Sequence, residues 1–194
     1  MKKVSKGWIA VIAVVVILGG YVMSTYNSLV GLDEGAKQAW SDLQADYKRR
    51  ADLIPNLVNV VKGYASHERE TLESLVAARA KATQIKVDID DPEKIKEFEA
   101  AQGEVGAALS RLIAVTESYP DLKANDNFKE LQSQLEGTEN RIKVSRENVN
   151  KAFNRYNVAV RRFPDKIVAS MFGFEIREMY EAEPAAQEAP TVTF

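Results

Sequence analysis

The chain has no cysteine among its 194 residues. That excludes disulfides, thiolate chemistry and lipid attachment through an N-terminal cysteine, and is neutral about redox compartment. It has one histidine, His67, followed by Glu68. A zinc-protease helix needs a second histidine four residues after the first, where this chain has Thr71. His67 therefore reads as a solvated or capping side chain. Asp88, Asp90 and Asp91 lack the mid-loop glycine and distal glutamate of a calcium loop. No serine stands in a glycine-elbow context. No catalytic residue, metal ligand or cofactor site is predicted. Proline (6) and glycine (10) are scarce while charged residues make up 28%, which suits long helices better than sheet. From Gly7 through Leu32 charge is missing altogether.

That uncharged stretch organises the rest. A helix needs about 20 mostly apolar residues to cross roughly 30 Å of hydrocarbon, and Trp8 to Tyr26 supplies them. Its Val-, Ile- and Ala-rich core disfavours an isolated helix in water, but lipid forces the backbone to bond to itself. Trp8 at one end, and Tyr21 or Tyr26 at the other, stand where interfacial aromatics anchor a span. Lys2, Lys3 and Lys6 precede it, and the first charges after it are Asp33 and Glu34. Basic flanks stay inside, so the expected orientation is N-terminus in the cytoplasm and domain outside. The apolar core runs on into Tyr21-Val22-Met23-Ser24-Thr25-Tyr26 without an Ala-x-Ala site, which favours an uncleaved anchor over a signal peptide.

The remainder is long enough for one domain with a core. All 28 acidic residues and 23 of the 26 basic ones fall in it, leaving it net acidic by five. Nucleic acid is an unsuitable main partner for such a surface. From Asp33 to Ala82 apolar and small residues recur at Ala36, Trp40, Leu43, Tyr47, Ala51, Ile54, Val58, Val61 and Ala65, resuming at Leu72, Leu75, Val76 and Arg79. This predicts one long helix, or two in line. Pro55 is expected to kink it or start a new helix. Gly63 weakens the turns beyond. Gly31 and Gly35 are soft points in a helix otherwise free to continue from the span.

Asp91-Pro92-Glu93 predicts a capped helix start. Its face is Ile95, Phe98, Gln102, Val105, Leu109, Leu112 and Thr116, with Gly103 and Gly106 allowing another helix close. Tyr119-Pro120-Asp121 ends it, and Asn125 or Asp126 caps the next. There the steps alternate three and four: Phe128, Leu131, Leu135, Thr138, Ile142, Ser145, Val149, Ala152, Tyr156, Ala159 and Phe163. That is a bundle seam with polar layers. Phe163-Pro164-Asp165 stops it, a short helix from Lys166 to Met171 follows, and Pro, Ala and Glu dominate from Glu181. The expected fold is all-α: a transmembrane helix, then an antiparallel bundle of three to four long helices. The expected organisation is a cytoplasmic start (1–7), a span (8–26), an extracytoplasmic bundle (27–180) and a disordered tail (181–194).

Several blocks then point to one family. They are Tyr26-Asn27, Ala39-Trp40-Ser41, Arg49-Arg50-Ala51-Asp52-Leu53-Ile54-Pro55-Asn56, Tyr119-Pro120-Asp121-Leu122-Lys123-Ala124, Thr138-Glu139-Asn140-Arg141-Ile142 and Tyr156-Asn157. Over about residues 20 to 175 the chain resembles the LemA family of bacteria. The resemblance implies a single N-terminal span and a helical domain in bacterial envelopes or related internal membranes. It implies no catalytic residues. One branch of the family is associated with magnetosome membranes, and nothing in the residues singles that branch out.

Beside the resemblance, the residues offer three binding ideas. Lys48, Arg49 and Arg50 suit anionic lipid, but lie about 35 Å past the span at 1.5 Å per residue and read as a solvated face. Asp52 and Asn56, four apart, are placed to satisfy backbone groups freed by Pro55. Val192, Thr193 and Phe194 form an apolar terminus suited to adding as a strand to a partner's groove or to docking on a neighbouring subunit. Thr138 and Ser145 in the seam, with Asn140, Asn148 and Asn154 nearby, are candidates for fixing register or lining a self-association face; the asparagines read better as exposed polar surface. The expected function is a membrane-anchored scaffold or interaction protein of the bacterial inner membrane, partnered by lipid through the span and by itself or another envelope protein. The alternatives are an extracytoplasmic sensor or adaptor working through a membrane partner, and a carboxylate-based envelope enzyme. No small-molecule substrate is indicated.

Overall fold

Pro55 does not break the first helix. The computed structural model describes residues 6–179, and in it α1 runs unbroken from Lys6 to Tyr64 with Pro55 inside. The interruption comes instead after Gly63, in a turn at Ala65–Glu68 where Glu68 N donates to Ala65 O at 3.1 Å. α2 is Arg69–Gln84, α3 Pro92–Thr116, α4 Pro120–Ala124, α5 Asp126–Arg161 and α6 Asp165–Met171. Among the described residues there is no strand. The caps follow sequence chemistry. Asp91 accepts from Lys94 N at 3.1 Å, with Pro92 opening α3. Asn125, not Asp126, caps α5 by accepting from Phe128 N at 3.0 Å. The expected tail and its last residues Val192, Thr193 and Phe194 lie outside the described residues.

The chain divides into two compact units, Ala39–Asn148 and Met1–Gln38 with Val149–Phe194. In the central unit, α1 and α5 are antiparallel: Asp46 meets Ser145, Arg50 meets Glu139 and Tyr64 meets Asn125, one number rising as the other falls. α1 and α2 form an antiparallel pair through Ala51 and Arg79. The core gathers Ile54, Leu57, Val61, Leu75, Val105, Leu112, Leu122, Phe128 and Leu135. The buried line on α1 is Trp40, Leu43, Tyr47, Arg50, Ile54, Leu57 and Val61. It is shifted one residue from the expected face at Ala51 and Val58, because an arginine belongs to it.

In the other unit, Leu29 of α1 packs with Tyr156 and Val160 of α5 and with Ala169 of α6. The expected seam ends early here. Phe163 is 79% exposed, and Phe153 and Val160 are buried in its stead. α5 stops at Arg161, so Phe163 lies past the helical register. α6 closes with a Schellman turn in which Phe174 N donates to Ala169 O at 3.0 Å. Gly173 holds φ +74°, which side chains disfavour by about 1–2 kcal/mol. From Trp8 to Met23 nearly all the large apolar side chains of α1 are exposed. An 18-residue window of this helix has a mean hydropathy of 2.2, and the helix is long and apolar enough to cross a membrane.

Candidate functional site

Three polar clusters use the residues that sequence reasoning singled out. The first is in the central unit. Arg50 is 3% exposed. Its Nη1 donates to Glu139 Oε1 at 2.8 Å, and its Nη2 donates to Gln102 O at 2.9 Å and Gln102 Oε1 at 2.7 Å. The guanidinium also lies 5.2 Å from the Tyr47 ring centroid. Tyr47 and Trp40 both meet the Phe98 ring edge-on, at 5.3 and 6.0 Å. The planar fork of Arg is what lets one side chain reach three acceptors on α3 and α5. Gly106 faces this group, and a β-carbon there would stand 3.9 Å from Arg50 Nη1, while Gly103 faces open space. So the expectation of a solvated basic face holds for Lys48 and Arg49, which are exposed, and fails for Arg50. At 100° per residue Arg50 falls in line with Tyr47 and Ile54.

The second cluster answers the proline. Pro55 has no N–H to give the carbonyl four residues back, that of Ala51. Asp52 and Asn56 do not serve it; both are exposed. Arg79 Nε of α2 donates to Ala51 O at 2.6 Å instead. A missing hydrogen bond within α1 thus becomes a bond between helices. Arg79→Leu is expected to cost about 1–3 kcal/mol, the scale of a part-buried acceptor left unpaired. Adding Pro55→Ala restores an N–H for Ala51 and should recover most of that loss. Urea titration of the two variants checks it, and an equal cost with and without the proline would contradict it.

The third cluster lies in the other unit. Asn157 binds the backbone of Arg177 on both sides. Its Nδ2 donates to Arg177 O at 2.7 Å, and its Oδ1 accepts from Arg177 N at 2.8 Å. The Arg177 side chain is buried, with Nη2 2.8 Å from Asp33 Oδ1 and the guanidinium 5.0 Å from the Tyr156 centroid. Asp33 also binds Lys37 at 2.8 Å, a bond that raises the Lys37 pKa. The Tyr26 ring meets Phe172 at a tilt, 4.8 Å between centroids, and Phe174 edge-on at 5.8 Å. The Tyr21 hydroxyl donates to Asp165 Oδ1, which Thr25 Oγ1 also reaches at 3.4 Å. These groups border a cavity of about 200 Å³ lined by Tyr21, Ser24, Thr25, Ser28, Leu29, Ala159 and Asp165.

The other named residues are accounted for singly. Tyr119 donates to Glu68 Oε1 at 2.9 Å, a bond that raises the phenol pKa, and Pro120 opens α4. Thr138 is buried and donates to Gln134 O, and Ser145 donates to Asp46 Oδ2 at 2.7 Å. Asn27, Arg49, Asp52, Pro55, Asn56 and Asn140 are exposed. Sequence reasoning missed Gln102 as a bonding partner, Asp33 and Arg177. Gln102 carried a signal, being a polar residue at a seam position. Arg177 carried none, since its backbone follows no helical period. Asp88, Asp90 and Asp91 form turn and cap bonds, and among the described residues no three His, Asp or Glu side chains converge as a metal site would need.

Comparison with known proteins agrees with this architecture. The model of the LemA family matches residues 39–194. Magnetosome protein MamQ 2 of Paramagnetospirillum magneticum is 27% identical over 204 residues, covering 95% of this chain and 74% of that protein. Magnetosome protein MamQ of Magnetospirillum gryphiswaldense is 28% identical over the same shares. Protein LemA of Metamycoplasma hominis is 27% identical over 143 residues, covering 74% of this chain and 63% of that protein. With the exposed apolar segment of α1, they identify a membrane-associated helical protein.

Proposed function

We propose that this chain, which belongs to the LemA family, is a single-pass, membrane-anchored scaffold of the bacterial envelope that works by assembly rather than by catalysis. One observation carries the reading: the residues behind the family resemblance split into two sets. Trp40, Arg50, Tyr119, Tyr156 and Asn157 are spent inside the fold on packing and hydrogen bonds. Arg49, Asp52 and Asn56 are exposed and recur at steps of three and four along α1, so they share one face. Polar groups that the fold leaves to solvent on one helix stripe suit docking to another protein. The face carries both charge signs and an amide, which gives orientation and specificity to a contact.

The span is read as crossing the inner membrane with Lys2, Lys3 and Lys6 inside, the bundle of residues 27–180 outside, and the α1 stripe available to further copies of the chain. The absence of cysteine makes the test clean. In native membranes, Asp52→Cys should give an oxidant-induced dimer, while Val144→Cys on α5, also exposed in the central unit, should not. Equal cross-linking at both positions, or at neither, would refute the stripe as an assembly face.

A further inference from the structure

The span should not be the only part of this chain that touches lipid. A helix entering hydrocarbon at Trp8 needs about 20 residues to cross, which brings the far interface to the turns holding Tyr21, Thr25 and Tyr26. α6 is fastened to those same turns. Asp165, in its first turn, accepts from the Tyr21 and Thr25 hydroxyls, and Phe172 just after it meets the Tyr26 ring. α6 buries Val168 and Ala169 against the protein and turns Ile167 and Met171, one helical turn apart, outward. With Phe163, Phe172, Ile176 and Met179, six large apolar side chains stand 49–79% exposed within 17 residues of chain. A concentration of this kind marks an interaction surface.

We propose that α6 and the segment from Phe172 to Met179 lie in the interfacial layer of the bilayer that α1 crosses, as a second and lateral membrane contact. Two observations choose lipid as the occupant. The patch is joined directly to the exposed apolar face of the span through Tyr21 and Tyr26. Arg161, Arg162 and Lys166 are exposed around it, against Glu175 and Glu178, so its rim is suited to anionic headgroup phosphates. The Asp165 carboxylate, which would be costly at this depth, is supplied with two hydroxyl donors. The Arg177 guanidinium is likewise paired, with Asp33. Beyond the Gly173 turn, Phe174 meets Tyr26 and Arg177 meets Asp33, so the following segment stays beside α1.

The inference rests on the reading of α1 as a span, and one experiment separates the two. The full chain is made with one cysteine at a time, Val15→Cys, Ile167→Cys, Met171→Cys or Val144→Cys. Each variant is spin-labelled and reconstituted in vesicles of phosphatidylcholine and phosphatidylglycerol at three to one. Oxygen, which concentrates in lipid, and a water-soluble nickel chelate then report each label's surroundings. Labels at 167 and 171 should show an oxygen-to-nickel ratio several-fold above that at 144 and approaching that at 15. Nickel access at 167 and 171 with lipid access at 15 would overturn the second contact and leave the anchor standing. Nickel access at 15 would overturn the anchor itself. Shielding of 167 and 171 from both reagents would mean that protein covers the patch, and would also overturn the proposal.

Discussion

Arg50→Ala should destabilise the central unit by about 3 kcal/mol, a loss on the scale of truncating a core side chain. The substitution removes three charge-assisted hydrogen bonds at once. Glu139, nearly half exposed, can return to water, so its share of the loss is small. Gln102 is 8% exposed; its carbonyl keeps its place in the helical ladder of α3, but its side-chain oxygen cannot return to water. The desolvation of that oxygen dominates, along with the space left beside Tyr47. In a chain of this length that loss lowers the melting temperature by about 6–12 °C. The double variant Arg50→Met, Gln102→Met should regain a good part of it, because paired polar groups replaced by apolar ones of similar shape leave less unsatisfied. Thermal unfolding of the full chain in detergent, followed by far-UV circular dichroism, checks both. A loss under about 0.5 kcal/mol for Arg50→Ala, the range of a neutral surface change, would contradict the account.

Asn157→Leu should release the segment after α6 while leaving α5 helical. One side chain serves both backbone groups of Arg177. Losing both bonds costs about 2–4 kcal/mol locally, two part-buried groups at the usual penalty each. Asn157→Asp keeps the acceptor for Arg177 N and loses the donor to Arg177 O, so it should fall between. Hydrogen exchange at the Arg177 amide and tryptic cleavage after Arg177 report the release. Both should rise in the order wild type, Asp, Leu. Exchange unchanged in Asn157→Leu would show that Asp33 and the Tyr156 ring hold the segment without the amide.

What was legible in the sequence is what obeys a period. The seam from Phe128 to Tyr156 and the start at Asp91-Pro92 follow from repeat and cap chemistry, the exposed apolar helix at the start of α1 follows from a run without charge, and the structure has all three. What escaped involved a polar residue in an apolar role or a contact with no period. Pattern reading treats an arginine as surface, so it moved the α1 face to Ala51 when Arg50 was the buried member. It expected Pro55 to kink α1 or to start a new helix, and no new helix starts there: the acceptor that proline strands is satisfied from another helix, by Arg79, 28 residues away. Phe163 was read by spacing alone into a seam that stops at Arg161. The Asn157–Arg177 pairing joins a helix to irregular chain, and neither partner announces the other. The exposed residues of the α1 stripe were named from the family blocks, but that Arg49 and Arg50 have opposite fates needed the three-dimensional fold.

The central claim is assembly on a membrane, and the native mass of the full chain tests it most directly. The protein should be extracted from its membrane in mild detergent, beside a variant carrying Arg49→Glu, Asp52→Lys and Asn56→Lys, with circular dichroism showing both equally helical. The account predicts a discrete assembly of several 21.6 kDa chains that falls to single chains in the variant. A single chain in both preparations would contradict it.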